Sequence, residues 1–116
     1  MAVTLEIVLD CADPDRLAEF WCSALGYVRF GEAANYRSLV DPDGIGPKMI
    51  LQGVGEPKTV KNRMHVDLHH DDIEAAADRL VDLGAFRLSD AAIVEHGTAW
   101  ILMADPEGNE FCVCRS

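Results

Sequence analysis

Apolar and polar residues alternate over residues 3–10, Val-Thr-Leu-Glu-Ile-Val-Leu-Asp. Period two predicts a strand, with Leu5, Ile7 and Leu9 on one face and Glu6, Val8 and Asp10 on the other. The period then lengthens. Leu17, Phe20, Trp21 and Ala24 recur at helical spacing, so Trp21 belongs to the core. Asp13 is placed to accept from the free N–H groups of the first turn, and the fixed φ of Pro14 suits the first helical position. Gly26 ends the helix, because glycine adopts the left-handed conformation of a C-terminal cap without steric cost. Three short strands follow, at Tyr27–Phe30, Tyr36–Val40 and Lys48–Gln52. The turn residues Asp41-Pro42-Asp43-Gly44 separate the last two.

The same order then returns. Met64–His70 reads as a strand. Asp71 or Asp72 caps a helix carrying Ile73, Ala76, Ala77, Leu80 and Leu83, and Gly84 closes it. Phe86–Leu88, Thr98–Ala104 and Glu110–Arg115 are the following strands, with Asp105-Pro106-Glu107-Gly108 between the last two. Glu6 stands seven residues before Asp13, and His65 seven before Asp72. Both helices end in Leu-Gly, and both halves carry an Asp-Pro-acid-Gly turn. Spacing and order together predict a duplicated βαβββ module in one α+β domain, residues 1–116. Module 1 spans about 1–53, a polar linker about 54–62, and module 2 about 63–116.

One helix covers only one face of each half-sheet, so the other face meets the second half, a ligand or a partner. That face carries chemistry: Glu6 and Asp10 in the first strand, His65, Asp67 and His69 in the fifth, and Glu110, Cys112 and Cys114 in the last. The 116 residues carry a formal net charge of −10, spread along the chain. This argues against nucleic acid, since phosphate binding needs clustered Lys and Arg and the one basic group here is Lys58, Lys61 and Arg63, read as a solvated loop. No apolar run approaches the roughly 18 residues of a membrane span, so no membrane partner is expected. The first residues lack a basic leader, which places the protein in the cytoplasm. No Cys-x-x-Cys occurs among Cys11, Cys22, Cys112 and Cys114, and no disulfide framework is expected.

Three segments carry a resemblance spanning essentially the whole chain: Leu9-Asp10-Cys11-Ala12-Asp13-Pro14 through Phe20-Trp21 and Leu25-Gly26; Asn62-Arg63-Met64-His65-Val66-Asp67-Leu68; and Ala104-Asp105-Pro106-Glu107-Gly108-Asn109-Glu110-Phe111. They resemble the glyoxalase/bleomycin-resistance/dioxygenase (vicinal oxygen chelate) superfamily, in its small glyoxalase-like branch. The resemblance implies a curved, cup-shaped mixed sheet with one helix per module on the outer face, a small organic ligand in the cup, and a homodimer. Metal ligands in such proteins come from the first and last strands of each half. The matching positions are Glu6, His65 and Cys112, with Gln52 as the nearest match in module 1, where Gly46-Pro47 blurs the count. A thiol at Cys112, where family enzymes carry Glu, favours zinc over magnesium or manganese as the divalent ion. His69 does not join His65 on one ion, because four residues of strand separate them by about 13 Å. The family register turns Trp100 and Leu102 inward, and Tyr36 and Ser38 in module 1, as walls for an organic molecule.

Two functional classes follow from the resemblance. One is a metal-dependent lyase, isomerase or dioxygenase in which Glu6 or Asp67 moves a proton. The other is a non-catalytic small-molecule or antibiotic-binding protein, favoured by Cys112 and the neutral Gln52, whose acidic balance suits a basic ligand. A weaker third is a domain whose cup is filled by its own side chains.

Overall fold

Strand β1 (Glu6–Cys11) pairs in parallel with β4 (Lys48–Gly53), the connection a βαβ crossover requires. The crossover is α1 (Pro14–Leu25), followed by β2 (Val28–Ala33) and β3 (Tyr36–Val40), giving a sheet in the order β1-β4-β3-β2. The second module repeats this with β5 (Val66–His70), α2 (Ile73–Asp82), β6 (Phe86–Arg87), β7 (Ile93–Glu95), β8 (Thr98–Ala104) and β9 (Glu110–Arg115). Here β5 pairs in parallel with β9, β9 with β8, and both β6 and β7 with β8. The fold is therefore α+β, with mixed sheets in tandem βαβββ modules. The structure is a computed structural model and describes residues 4–116. Val3, the start of the first predicted strand, and Met1 and Ala2 of the leader reading lie outside the described residues. The chain divides between Pro57 and Lys58 into two compact units.

Three of the four caps are those expected, while α2 stops at Asp82 and is capped by Leu83 in the right-handed conformation rather than by Gly84. The Asp13 carboxylate accepts from Arg16 N–H at 3.2 Å, Pro14 opens α1, and Gly26 closes it at φ +73°. Asp72 does the same for α2, accepting from Ala75 N–H at 3.1 Å. Leu17, Ala18, Phe20 and Trp21 are buried on the sheet side of α1, against Leu39, Met49 and Leu51. Phe20 and Trp21 meet edge to face with centroids 5.1 Å apart. In the second unit Ile73, Ala77 and Leu80 of α2 cover Ile101, Met103, Phe111 and Val113. Each large side chain buried this way stabilises its unit by about 1.5–3 kcal/mol.

The two acid turns are built alike. The fully buried Asp105 carboxylate accepts from the N–H groups of Glu107 and Asn109 and from the Asn109 amide. Asp41 accepts from Asp43, Ile45 and Gly46 N–H, and these bonds, Gly46 first, hold its carboxyl below the usual carboxylate range. Each turn fixes the register of the hairpin it closes.

Three sequence expectations shift. β2 runs on to Ala33, past the predicted Phe30. It bulges where Arg29 pairs with Leu39 and Gly31 with Ser38, leaving Phe30 as the extra residue. β7 is a strand the sequence did not announce. It joins β8 through His96 and Gly97, both at positive φ (52° and 76°), the backbone of a type I′ hairpin that Asn-Gly or Asp-Gly usually signals. β5 begins at Val66 rather than Met64, so His65 sits at the strand's entry. The preceding loop is held by Glu110, which accepts from Lys61 Nζ at 2.7 Å and Asn62 N–H at 3.0 Å. Lys58 pairs with the same carboxylate at 3.8 Å, so two of the three basic residues expected as a solvated cluster have a specific partner.

Two outcomes test this local account. A Cβ at Gly46 would run into the Tyr27 hydroxyl, which donates to Pro47 O at 2.8 Å. Gly46→Ala should therefore lower unfolding free energy by about 1–3 kcal/mol, and adding Tyr27→Phe should recover much of it in a denaturant double-mutant cycle. The second concerns Asp15, whose carboxylate bridges Arg37 of β3 at 2.8 Å and Arg29 of β2 at 3.0 Å. The hydrogen bond from Arg37, then that from Arg29, holds its pKa down at about 2, against an ordinary value near 3.8. A depressed carboxyl stabilises the fold above its unfolded value and loses that contribution as pH falls through the folded one. Asp15→Asn should thus flatten the stability-versus-pH curve between about pH 4 and 2, measured by urea unfolding.

Candidate functional site

Alternation along β5 sends Val66 and Leu68 toward α2, opposite the buried Phe111 and Val113 of β9. Asp67 and His69 take the other face, opposite Cys112 and Cys114. Across β9, Leu102 of β8 pairs with Cys112 and Trp100 with Cys114. The helix-free face of the second unit therefore carries two rows: Asp67, Cys112, Leu102; and His69, Cys114, Trp100.

His65 folds back onto the first row. Its Nε2 lies 3.2 Å from Asp67 Oδ1, with both side chains about half exposed. One ligand atom each from His65, Asp67 and Cys112 falls within 4.8 Å of the others, and no other such cluster of three occurs among the described residues. Cys112 is 7% exposed. Burial, then the Asp67 charge, pushes its thiol pKa up. Cys114 is pushed up to about 11, chiefly by burial, then by the Asp67 charge. Both therefore stay protonated at neutral pH in the absence of a cation. An imidazole nitrogen, a carboxylate oxygen and a thiol sulfur are the donors zinc takes. An all-oxygen ion such as magnesium finds only the one carboxylate among the three.

Asp67 is thus a member of the donor cluster and a partner of His65, a role the sequence reading had not given it. The signal was present: His65 and Asp67 were already on one face, and a parallel first-to-last strand pairing sets Asp67 beside Cys112. His69 and His70 are exposed, and His70 Nδ1 accepts from Asp72 N–H at 2.9 Å just before α2. Trp100 and Leu102 are half-buried on the face that bears Cys112.

In the first unit the helix-free face carries Glu6, Val8 and Asp10 opposite Lys48, Ile50 and Gln52. Glu6 pairs with Lys48 at 3.8 Å, and the Lys48 ammonium also lies 5.4 Å from the centre of the Phe30 ring. Gln52 Nε2 donates to Tyr36 Oη at 3.1 Å, and Ser38 pairs with Ile50 on the same face. Aligning the modules by Glu6 and His65 matches Val8 to Asp67. The residue opposite Val8 is Ile50, so Ile50 and not Gln52 stands where module 2 has Cys112. Cys112 lies seven residues past Asp105 and Ile50 nine past Asp41, the difference being the two extra residues Gly46-Pro47 in the loop closed by Asp41. Gln52 is also four residues beyond the partner of Glu6, about 13 Å along the strand, too far to share one ion with it. A recess of about 330 Å³ at the β2 bulge is lined by Arg29, Phe30, Gly31 and Glu32 and gathers no set of metal donors.

The fold is shared with solved proteins across nearly the whole chain. A glyoxalase/bleomycin resistance protein/dioxygenase family enzyme from Burkholderia phytofirmans PsJN superposes with a TM-score of 0.78 at 13% identity, covering 95% of each chain. The fosfomycin resistance protein FosX from Listeria monocytogenes gives 0.79 at 12%, covering 100% of this chain and 94% of its own. TioX from Micromonospora sp. ML1 gives 0.70 at 20%, covering 98% of each. Among curated proteins, none matches this chain significantly. The sequence profile of the glyoxalase-like domain matches residues 6–114, and the chain belongs to that family.

Proposed function

We propose that this domain binds a small organic molecule beside a thiophilic divalent ion, zinc before magnesium or manganese, held on the helix-free face of the second unit. The observation that carries the reading is the convergence of His65, Asp67 and Cys112 within 4.8 Å. The 3.2 Å between His65 Nε2 and Asp67 Oδ1 is a separation that two ligands of one tetrahedral ion can take. A bound ion would polarise a substrate oxygen as a Lewis acid. Trp100 and Leu102, on the same face, provide an apolar wall for the organic part. With an ion that polarises oxygen but has no redox role, this favours lyase or isomerase over dioxygenase-type chemistry.

A second reading, a non-catalytic binding protein, is supported by a different observation. Module 1 has Val8 and Ile50 where module 2 has Asp67 and Cys112, so half of the duplicated positions carry no donor. The similarity in fold to a fosfomycin resistance protein keeps an antibiotic among the ligands of that reading. Four cysteines with no disulfide fit the reducing cytoplasm under either reading.

Metal content separates the two. The full chain, purified without chelator and then offered zinc, should hold about one ion, and His65→Ala should weaken zinc binding by at least about tenfold in a competition titration. A wild-type chain that takes up no zinc, yet binds organic ligands unchanged after chelation, would replace the metal reading with the binding-protein one.

A further inference from the structure

The row that begins at Asp67 does not stop at Leu102. Asp67 pairs with Cys112, Cys112 with Leu102, and Leu88 N–H donates to Leu102 O at 2.8 Å. One line of side chains therefore crosses β5, β9, β8 and the residue that follows β6. Trp100 pairs with Ile93 on one side of this line and Ala104 with Phe86 on the other, all on the helix-free face. Arg87, between Phe86 and Leu88, fixes that facing: it pairs with buried Met103, and its guanidinium donates to Glu74 of α2 at 2.8 Å. The neighbour of Leu88 pins it in place, because Ser89 N–H also donates to Leu102 O at 3.3 Å and Ser89 Oγ accepts from Leu102 N–H at 3.1 Å.

The face is thus divided. The donors stand on β9, on β5 and at its entry. From β8 outward come Trp100, Leu102, Ala104, Phe86, Leu88 and Ile93, with no charge among them, and Glu95, opposite Thr98, marks the far corner. Phe86 and Leu88 remain 58% and 50% exposed, so the described residues do not close over the strip. We propose that this strip selects the substrate of the ion site: a compound with an oxygen donor at one end and an uncharged apolar body lying across β8 toward Phe86, Leu88 and Ile93. The inference rests on the metal reading above and names a substrate class for it. Three protein donors leave the fourth position of zinc open to the substrate oxygen. Two strand spacings separate Cys112 from Leu88, so the body reaches about 10 Å. A charged group on that body would lose its water against the strip and find no partner there.

Calorimetric titration of the zinc-loaded full chain with n-alkyl hydroxamates separates body from head, since one zinc-binding head group is common to the series. Octanohydroxamate should bind at least about tenfold more tightly than acetohydroxamate. 4-Aminobutanohydroxamate, which carries its charge over the strip, should bind no better than acetohydroxamate. Leu88→Ala should weaken octanohydroxamate about tenfold and leave acetohydroxamate unchanged. Val94→Ala, on the other face of β7 opposite Ala99, should change neither. The wild-type series needs no variant, should a substitution impair folding. If acetohydroxamate binds the zinc form and octanohydroxamate binds no more tightly, the selecting strip is overturned while the metal reading stands. If chain length has no effect and Leu88→Asp turns a dimer into a monomer by sedimentation equilibrium, the strip belongs to a second copy of the chain and the proposal falls. A chain that takes up no zinc overturns both readings.

Discussion

The parallel pairing of β5 with β9 is the constraint from which the rest of the site follows. Its register places Asp67 against Cys112 and His69 against Cys114. A slip of one residue would send Val66 and Leu68 outward, away from α2, and lose their burial against Phe111 and Val113, so the apolar face of the sheet enforces the register of the polar face. The buried Asp105 turn holds β8 to β9, which brings Leu102 and Trp100 alongside the two cysteines. Core packing on one side of the sheet thus determines which chemical groups meet on the other. No loop is needed to gather the donors except the residue entering β5, and the Glu110 clamp on Lys61 and Asn62 steadies the segment leading to it.

Duplication gives both modules this scaffold, and the modules use it differently. Module 1 keeps the cap, the parallel pair and the acid turn, but fills the positions of Asp67 and Cys112 with Val8 and Ile50. Glu6 remains at the position of His65 and is paired with Lys48. The scaffold is conserved between halves because caps and turns are set by backbone needs. Side chains on the helix-free face make no contribution to the helix-packed core, so they are free to diverge.

Much of the fold was legible from the sequence because its signals are local. Asp13, Pro14 and Gly26 bounded α1, Asp72 began α2, and the Tyr36–Val40 and Thr98–Ala104 strands lie where alternation put them. β7 escaped because its hairpin uses His96 in a left-handed conformation, which residue type barely signals. The site was half legible. His65 and Cys112 were found from family positions, and the face of Asp67 from alternation. Their convergence depends on pairing between strands over forty residues apart, which alternation alone does not reveal. Ile50 rather than Gln52 matches Cys112 for the same reason: the pairing of β4 with β1, which alternation within β4 does not reveal, sets that position.

The proposed ion site joins sulfur, nitrogen and oxygen donors of the second unit. Zinc-edge X-ray absorption on the full chain loaded with one equivalent of zinc tests it most directly. The bound zinc should show a mixed coordination shell, with sulfur at about 2.3 Å beside nitrogen or oxygen at about 2.0–2.1 Å. A shell of nitrogen and oxygen alone would contradict it, because no site that includes Cys112 could produce one.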